Sequence, residues 1–275
     1  MGIASRTPCR PFHRGLALPI AVISDIHANA EALRTVMADI DARGITRIVC
    51  LGDIVGYGPD PLECVDMVRK RCEWTLMGNH DFGVLYEPTN FNAPAESSAF
   101  WTRDQLDKEP DADLRTQRYE FLGKLRVRVL DKAPESGIPI LAVHGSPRRP
   151  INEYIFENDV RTAPEKLESI FSRFERICVV GHTHVPGVFT DEPDFYRPGE
   201  LGDMTYRFNE DEKAIINVGS VGQPRDEDPR ACYVVMHADR VEYVRLEYNV
   251  ETTARKIRAV GELSDWLGER LYVGR

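Results

Sequence analysis

The chain has 275 residues, enough for one or two domains, and its 44 acidic and 35 basic side chains give a net charge of −9. This balance does not favour binding of nucleic acid or of an acidic membrane through bulk charge. A small anionic substrate remains compatible with it, because bound metal ions would reverse the local field. The sequence contains no apolar run that approaches the ~20 residues needed to span a bilayer.

The N-terminal segment superficially resembles a signal peptide, because three arginines precede a short apolar stretch. The stretch is interrupted by Pro19 and runs into Asp25 without a small-residue cleavage site. The six cysteines include no Cys-x-x-Cys pair, which is typical of reduced thiols. We therefore expect residues 1–18 to form a flexible tail and the protein to be cytoplasmic.

The first part of the chain alternates strand and helix patterns. Continuous apolar runs predict strands at residues 20–24, 48–51 and 74–76. Helical periodicity predicts helices at residues 29–43 and 61–71. This β-α-β-α-β order indicates a parallel sheet with right-handed crossovers.

Residues 82–125 break this rhythm and predict a small helical insertion. A polar loop over residues 87–94 precedes a predicted helix at residues 95–108, and a second helix is predicted at residues 113–125. Ordinary packing and a role as a substrate cap are both open for this segment.

The second part of the chain is richer in strands. Residues 163–174 predict a helix, residues 191–212 are interpreted as a loop, and residues 250–267 as a terminal helical region. Strands are predicted at residues 127–130, 138–143, 176–180, 188–190, 204–208, 213–218, 231–237 and 241–248, the last two forming a hairpin. We expect a single mixed α/β domain over residues 19–275, with two sheets and flanking helices.

Polar clusters follow most of the apolar runs. At the carboxyl ends of strands such side chains project into one cleft. Carboxylate and amide oxygens suit Mg²⁺ and Mn²⁺, imidazole suits Zn²⁺, Fe and Ni²⁺, and the lack of thiolate argues against a Cys-rich structural zinc. A pair of divalent metals in a cleft usually means hydrolysis of a phosphate ester. The clusters are Asp25-Ile26-His27, Gly52-Asp53, Gly78-Asn79-His80-Asp81, His144-Gly145 and Gly181-His182-Thr183-His184.

The spacing within two clusters sets a condition on the backbone. Asp25 and His27 are two residues apart, as are His182 and His184. Both members of a pair face one cleft in an extended chain, so we expect extended backbone there. A single histidine after a strand is more often structural, but five such clusters in this order favour a joint metal site.

The ordered motif set resembles that of the calcineurin-like metallophosphoesterase superfamily over about residues 19–250, with none of the expected ligand positions substituted. The resemblance implies a four-layer double β-sheet sandwich flanked by helices. The chain lacks the arginine that protein Ser/Thr phosphatases carry just after Gly52-Asp53, and Asp81 stands where they carry Glu. It therefore looks most like the compact bacterial and archaeal phosphodiesterase-type branch.

The resemblance implies two divalent metal ions, with Mn²⁺ the first choice and Fe, Zn, Ni or Mg as alternatives. One ion would take three ligands, the other three more, and a carboxylate would bridge them: Asp25, His27 and His184 for the first, Asn79, His144 and His182 for the second, and Asp53 as the bridge.

The resemblance also implies a mechanism. A hydroxide held between the metals would attack phosphorus in line. His80 would contact the phosphate and protonate the leaving oxygen, oriented by Asp81. The implied enzyme is a metal-dependent phosphoric ester hydrolase, a phosphodiesterase or a phosphatase.

Substrate contacts are less defined, and packing is an open interpretation for each candidate. Asn29, Tyr57 and Arg225 are the candidates, since Arg225 could pair with a phosphate and Tyr57 could stack on a base. The glycine-rich segment 217–225 could turn backbone N–H groups toward an anion, or could be a plain tight turn. Arg148-Arg149 forms a small basic spot.

Two other function classes are weighed against this one. A non-catalytic interaction scaffold on the same fold would be expected to have lost ligands or His80, which are retained. A metallo-β-lactamase-like hydrolase needs His-x-His-x-Asp-His, whereas Val185-Pro186-Gly187 follows His184. The expected partner is a small phosphorylated substrate, with nucleic acid expected only as a nucleotide or short oligonucleotide. Monoester versus diester preference and oligomeric state are open.

Overall fold

The computed structural model describes residues 19–209 and 211–275, so the expected tail at 1–18 lies outside the described residues. The strands are β1 Ile20–Ile23, β2 Arg47–Cys50, β3 Trp74–Thr75, β4 Arg128–Lys132, β5 Pro139–Val143, β6 Ile177–Val180, β7 Gly187–Thr190, β8 Asp194–Tyr196, β9 Thr205–Arg207, β10 Ala214–Asn217, β11 Ala231–Met236 and β12 Arg240–Leu246. The α-helices are α1 Ala30–Ala42, α2 Pro61–Arg71, α3 Asn79–Leu85, α4 Ala93–Asp107, α5 Ala112–Gly123, α6 Asp159–Thr162, α7 Pro164–Phe171, α8 Val250–Arg258 and α9 Asp265–Glu269.

The strands of the described ranges form two six-stranded sheets. Their orders are β3-β2-β1-β11-β12-β9 and β4-β5-β6-β10-β7-β8. β1, β2 and β3 are parallel, which confirms the predicted β-α-β-α-β unit. β11 and β12 form the predicted antiparallel hairpin. In the second sheet β5, β6 and β10 are parallel, so polar loops leave both sheets at the carboxyl ends of parallel strands.

Each sheet is covered by other elements on both of its faces, so its strands carry apolar side chains on both faces. Ile20 and Val22 of β1 belong to the core between the sheets, whereas Ala21 and Ile23 pack in the cluster that contains α1 and α2. The outer face of the second sheet packs on α7. Successive side chains of a strand point to opposite faces, which accounts for this division. The layers run helix, sheet, sheet, helix, and they confirm the predicted double sandwich.

The two longer predicted helices of the insertion are present as α4 and α5. Ala99, Leu106 and Leu122 pack in the same cluster as Cys64 and Val68 of α2. The insertion therefore extends the helical layer over the first sheet. α4 begins two residues earlier than predicted, because Asn92 caps it by accepting the Ala95 N–H.

Several short elements were not predicted. α3 begins at the polar motif itself, and β8 with two 3-10 turns, Pro198–Glu200 and Gly202–Met204, lies inside the segment interpreted as a loop. The terminal helical region is divided into α8, α9 and a 3-10 turn at Arg270–Tyr272. α3, β8, α9 and the 3-10 turns have three to seven residues, too few for a period of 3.6 or 2 to be distinctive.

None of the helices in the described ranges combines the length and apolar character needed to cross a membrane. All the cysteines that the structure describes carry free thiols. Cys72 is partly buried, and the other four are buried: Cys50, Cys64, Cys178 and Cys232.

Candidate metal centre

The loops that follow β1 and β2 are joined by backbone hydrogen bonds. The Asp25 N–H donates to the Gly52 carbonyl at 3.0 Å, and the Ile26 N–H donates to the Asp53 carbonyl at 2.9 Å. Because β1 and β2 are parallel neighbours, these loops leave the sheet at the same edge. The arrangement brings the carboxylates of Asp25 and Asp53 together in the protein interior, where both are 1% exposed or less.

The predicted extended backbone at the ligand pairs is wrong. Asp25, His27, Asp53, His182 and His184 all have left-handed φ values, between 48° and 65°. Such a conformation costs about 1–2 kcal/mol for a residue with a side chain, so the surrounding contacts must enforce it. The chain curls at each ligand, and this curl turns side chains two residues apart toward one point.

The glycines of the motifs permit close approach between the loops. A Cβ on Gly78 would lie 2.0 Å from Asp53 Oδ1, and a Cβ on Gly181 would lie 2.4 Å from Asp25 Oδ2. Any other residue at these positions would displace a carboxylate. The glycines therefore determine where the acidic ligands stand.

The predicted ligands converge as two groups that share one carboxylate. In each group the donor atoms lie within 4.8 Å of one another, and the groups are Asp25, His27, Asp53 and His184, and Asp53, His144 and His182. Asp53 Oδ2 lies 3.6 Å from His27 Nε2 and 3.3 Å from His144 Nε2, between the groups. Within the ranges that the structure describes, the buried Oδ1 atoms of Asn79 and Asp25 have no hydrogen-bond partner.

The hydrogen bonds of the imidazole rings fix which nitrogen faces the centre. Nδ1 of His27 lies 3.2 Å from the Val55 carbonyl, and Nδ1 of His184 lies 2.6 Å from the Gln223 carbonyl. A carbonyl only accepts, so both Nδ1 atoms carry the proton and both Nε2 atoms present a lone pair. These two Nε2 atoms nevertheless face each other at 3.1 Å. A cation between them resolves this conflict, so the residues fit a bound metal ion.

The second group also brings two imidazole rings together, and among the described residues no carbonyl fixes the tautomer of His182. His144 Nδ1 lies 3.0 Å from the Leu51 carbonyl, which fixes its proton, and His144 Nε2 then faces His182 Nδ1 at 3.2 Å. The backbone N–H of His182 donates to Asp25 Oδ2 at 3.0 Å and links the two groups.

Electrostatics keep these ligands largely in metal-binding protonation states. Burial alone would raise the pKa of Asp53, but the nearby imidazoles of His144 and His80 hold it well below its usual range. Burial and then His184 hold the pKa of His27 well below its usual value, and burial lowers that of His182 to about 3. His144 is the exception: burial opposes its charge, yet Asp53 raises its pKa to about 9. Metal binding there would displace a proton.

Asp81 does not orient His80 as the sequence led us to expect. Its carboxylate accepts hydrogen bonds from the backbone N–H groups of Asp53 at 2.8 Å, Ile54 at 3.0 Å and Gly78 at 3.0 Å. Among the described residues, His80 Nδ1 has no hydrogen-bond partner. Asp81 thus fixes the turn that carries Asp53, because the turn presents several N–H groups to one carboxylate.

The Asn29 side chain has a structural role in place of the expected substrate contact. Its Oδ1 caps α1 by accepting the Ala32 N–H, and it also accepts the Thr253 hydroxyl. Its Nδ2 donates to the Gly222 carbonyl at 2.8 Å. The residue is 1% exposed, so the amide is committed to joining these segments.

Tyr57 and Arg225 lie beside the centre. The Tyr57 ring centroid is 4.3 Å from that of His80 and 4.8 Å from that of His27. The Arg225 guanidinium carbon lies 5.7 Å from the Tyr57 ring centroid. In the part of the chain that the structure describes, no carboxylate pairs with Arg225, and Gln223 accepts its hydrogen bonds. This places an unneutralised positive charge next to the imidazoles.

The glycine-rich segment 217–225 does not turn free N–H groups outward. Val221 and Gly222 donate to the carbonyls of Ser24 and Asp25, each at 3.0 Å, and Arg225 donates to that of His184. The segment is a turn whose backbone hydrogen bonds hold the loops that carry Asp25 and His184. The positive charge of the expected basic spot at Arg148-Arg149 is also partly neutralised, because Arg148 pairs with Glu153 at 3.0 Å.

The sequence analysis missed three aromatic or basic neighbours of the centre. The Phe91 ring lies 4.5 Å from that of His80, and Tyr154 stacks on His182 at 3.8 Å with an interplanar angle of 19°. Burial and Arg225 lower the pKa of Arg270 to about 10, so Arg270 lies near the same side. The available signal was an aromatic residue between two asparagines at 90–92 and two aromatic residues shortly after Asn152.

Comparisons with known proteins identify the family of the chain. The profile of the calcineurin-like phosphoesterase superfamily domain matches residues 18–240. The chain is 37% identical over 261 residues to an uncharacterized protein from Methanocaldococcus jannaschii, covering 93% of this chain and 98% of that protein. A crystal structure of a metallophosphoesterase from Sphaerobacter thermophilus is 36% identical, with a TM-score of 0.75, and the match covers 94% of this chain and 100% of that one.

A hypothetical protein from Pyrococcus horikoshii OT3 shares the fold at 18% identity, with a TM-score of 0.72 and coverage of 94% of this chain and 99% of that one. With the family profile spanning most of the sequence, the chain belongs to the calcineurin-like phosphoesterase superfamily.

Proposed function

We propose that the protein is a binuclear metal-dependent phosphoesterase that hydrolyses small phosphorylated molecules. The sharing of Asp53 by two convergent donor groups is the observation that carries this proposal. Each donor group also contains a pair of imidazoles that face each other, and this favours two cations over one. Mixed carboxylate, amide and imidazole donors suit Mn²⁺ first, and Fe, Zn, Ni or Mg are alternatives.

Two bound divalent ions would lower the pKa of water and neutralise charge on the phosphoryl oxygens. Asp53 would fix their separation, because its turn is anchored by Asp81. Arg225 would add positive charge toward a bound phosphate.

His80 is suited to contact the phosphate and the leaving oxygen. Its Nδ1 is packed against Gly56, where an added Cβ would lie 2.3 Å away, so Nε2 is the nitrogen left for a substrate. Burial lowers the pKa of His80 to about 4, with a contribution from Arg225, although Asp53 opposes it. A bound phosphate would raise this pKa and favour the protonated ring.

The test compares p-nitrophenyl phosphate with bis-p-nitrophenyl phosphate, with added Mn²⁺ and after chelation. We expect metal-dependent turnover of at least one ester, two metal ions per chain, and loss of both in Asp53→Ala. Asp104→Ala is the matched control, since that carboxylate is 63% exposed, pairs with Lys108 and belongs to neither donor group.

Preference for the diester would support the phosphodiesterase-type branch, and preference for the monoester would indicate a phosphatase. A chain that binds metal but turns over neither ester would favour the interaction scaffold, and a chain that binds no metal would contradict the proposal.

A further inference from the structure

A cavity of about 230 Å³ opens beside Asn79 and His182. It lies between α3, the loop that precedes α4, and the loop at residues 151–154. Because two predicted metal ligands form part of its wall, a molecule bound through its phosphate at the metal centre would place its organic part here.

Three aromatic side chains line this cavity, from three separate segments: Phe82, Phe91 and Tyr154. Phe82 and Tyr154 are 38% and 39% exposed, whereas large apolar side chains are normally buried. Phe91 lies against His80 and Tyr154 against His182, so the rings are held next to the catalytic and metal-binding imidazoles. Because Tyr154 already stacks on His182 and on Phe156, the exposed Phe82 ring is the one best able to stack on a planar group.

The polar atoms of the wall come chiefly from neutral groups. Asn90 and Asn152 line the cavity, and within the described ranges neither side-chain amide has a hydrogen-bond partner. An amide offers both a donor and an acceptor. The lining contains no lysine or arginine, and Glu87 contributes a negative charge. A second phosphate is therefore unsuited to this cavity, whereas an uncharged ring with hydrogen-bonding edges suits it.

Resting on the proposed phosphoesterase function, we propose that this cavity binds a nucleobase, so that the substrate is a nucleoside phosphate ester. Ligands of drug size occupy clefts of about 300–1,000 Å³, and this cavity of about 230 Å³ accepts one ring system. Stacking of one base on aromatic side chains contributes about 1–3 kcal/mol, equivalent to roughly 5- to 150-fold in affinity.

The experiment compares adenosine 5′-monophosphate with ribose 5-phosphate, which differ in the base and share the phosphate ester. We expect the metal-loaded protein to favour the nucleotide in kcat/KM by at least about tenfold. Phe82→Ala should reduce this ratio about tenfold. Tyr196→Ala, which removes an aromatic ring of similar exposure (37%) on β8, should not change it.

Binding of adenosine, measured by calorimetry on the metal-loaded protein, tests the cavity without hydrolysis. If Phe82→Ala binds adenosine more weakly than the unaltered protein, the result supports a nucleobase site. This holds even if neither ester is hydrolysed, and in that case only the phosphoesterase function is contradicted. Equal kcat/KM for the two esters together with no adenosine binding would overturn the proposal, while hydrolysis of both would leave the phosphoesterase function intact.

Discussion

Replacing Gly222 by alanine should damage the metal centre from a position that donates no ligand. The added Cβ would lie 1.7 Å from the Ile26 carbonyl oxygen and 2.6 Å from its carbon. Contacts below 3.0 Å do not occur for real Cβ atoms, so the turn and the ligand loop must separate by about 1.3 Å. Ile26 lies between the ligands Asp25 and His27, and this separation therefore displaces both.

The magnitude follows from the hydrogen bonds across this contact. Gly222 N–H donates to the Asp25 carbonyl at 3.0 Å, and Asn29 Nδ2 donates to the Gly222 carbonyl at 2.8 Å. Lengthening either bond by more than 1 Å breaks it, and leaving buried partners unsatisfied costs about 1–3 kcal/mol each. With both bonds broken, we expect the free energy of unfolding to fall by roughly 2–6 kcal/mol. Turnover should fall about 10²-fold, because the candidate ligands move by about 1 Å.

Urea unfolding after chelation gives the stability change, and metal analysis with p-nitrophenyl phosphate turnover gives the effect on the site. The matched control is Gly123→Ala at the end of α5, where an added Cβ meets no atom within 4 Å. This control should be neutral or more stable by up to about 1 kcal/mol. Unfolding free energy within about 0.5 kcal/mol of the unaltered protein, together with full metal content in Gly222→Ala, would refute the reasoning.

Further changes test other parts of the centre. His80→Ala should lower kcat by about 10²–10⁴-fold while metal analysis still finds two ions per chain, and full activity would exclude the proposed role. Asp81→Asn should reduce the unfolding free energy by roughly 2–4 kcal/mol and weaken metal binding in a Mn²⁺ titration, because an amide cannot accept all the N–H groups that the carboxylate accepts. Unchanged Mn²⁺ affinity would show that the turn at Asp53 keeps its conformation without the Asp81 carboxylate. Chelation should lower the melting temperature seen by calorimetry, since ions at 100 times their Kd stabilise the fold by about 2.7 kcal/mol, and an unchanged melting temperature would argue against a metal site.

The sequence was sufficient for the order of the elements. α2 Pro61–Arg71 begins and ends at the predicted residues, and β1 to β3 pair in parallel as expected. These features are local, because apolar periodicity reflects which face of an element is buried. The candidate metal ligands were also identified from the sequence, because several polar clusters in a characteristic order follow its apolar runs.

Tertiary structure decided how the ligands meet. The left-handed turns at Asp25 and His182 were predicted as extended, because φ at such positions depends on contacts with distant loops. Asp81 was assigned to His80 through the family resemblance, yet its carboxylate accepts hydrogen bonds from the turn of Asp53, 28 residues away. Asn29 was a candidate substrate contact with packing as the open alternative, and its amide in fact joins α1 to Gly222, 193 residues away.

The cavity beside the centre is also a product of tertiary structure. Phe82, Phe91 and Tyr154 come from separate segments, and no local pattern distinguishes them from other aromatic residues. The sequence by itself determined which residues are chemically able to bind metal and which elements carry them. The fold alone determined their distances, their protonation and the walls around them, because these depend on backbone contacts between loops that are far apart along the chain.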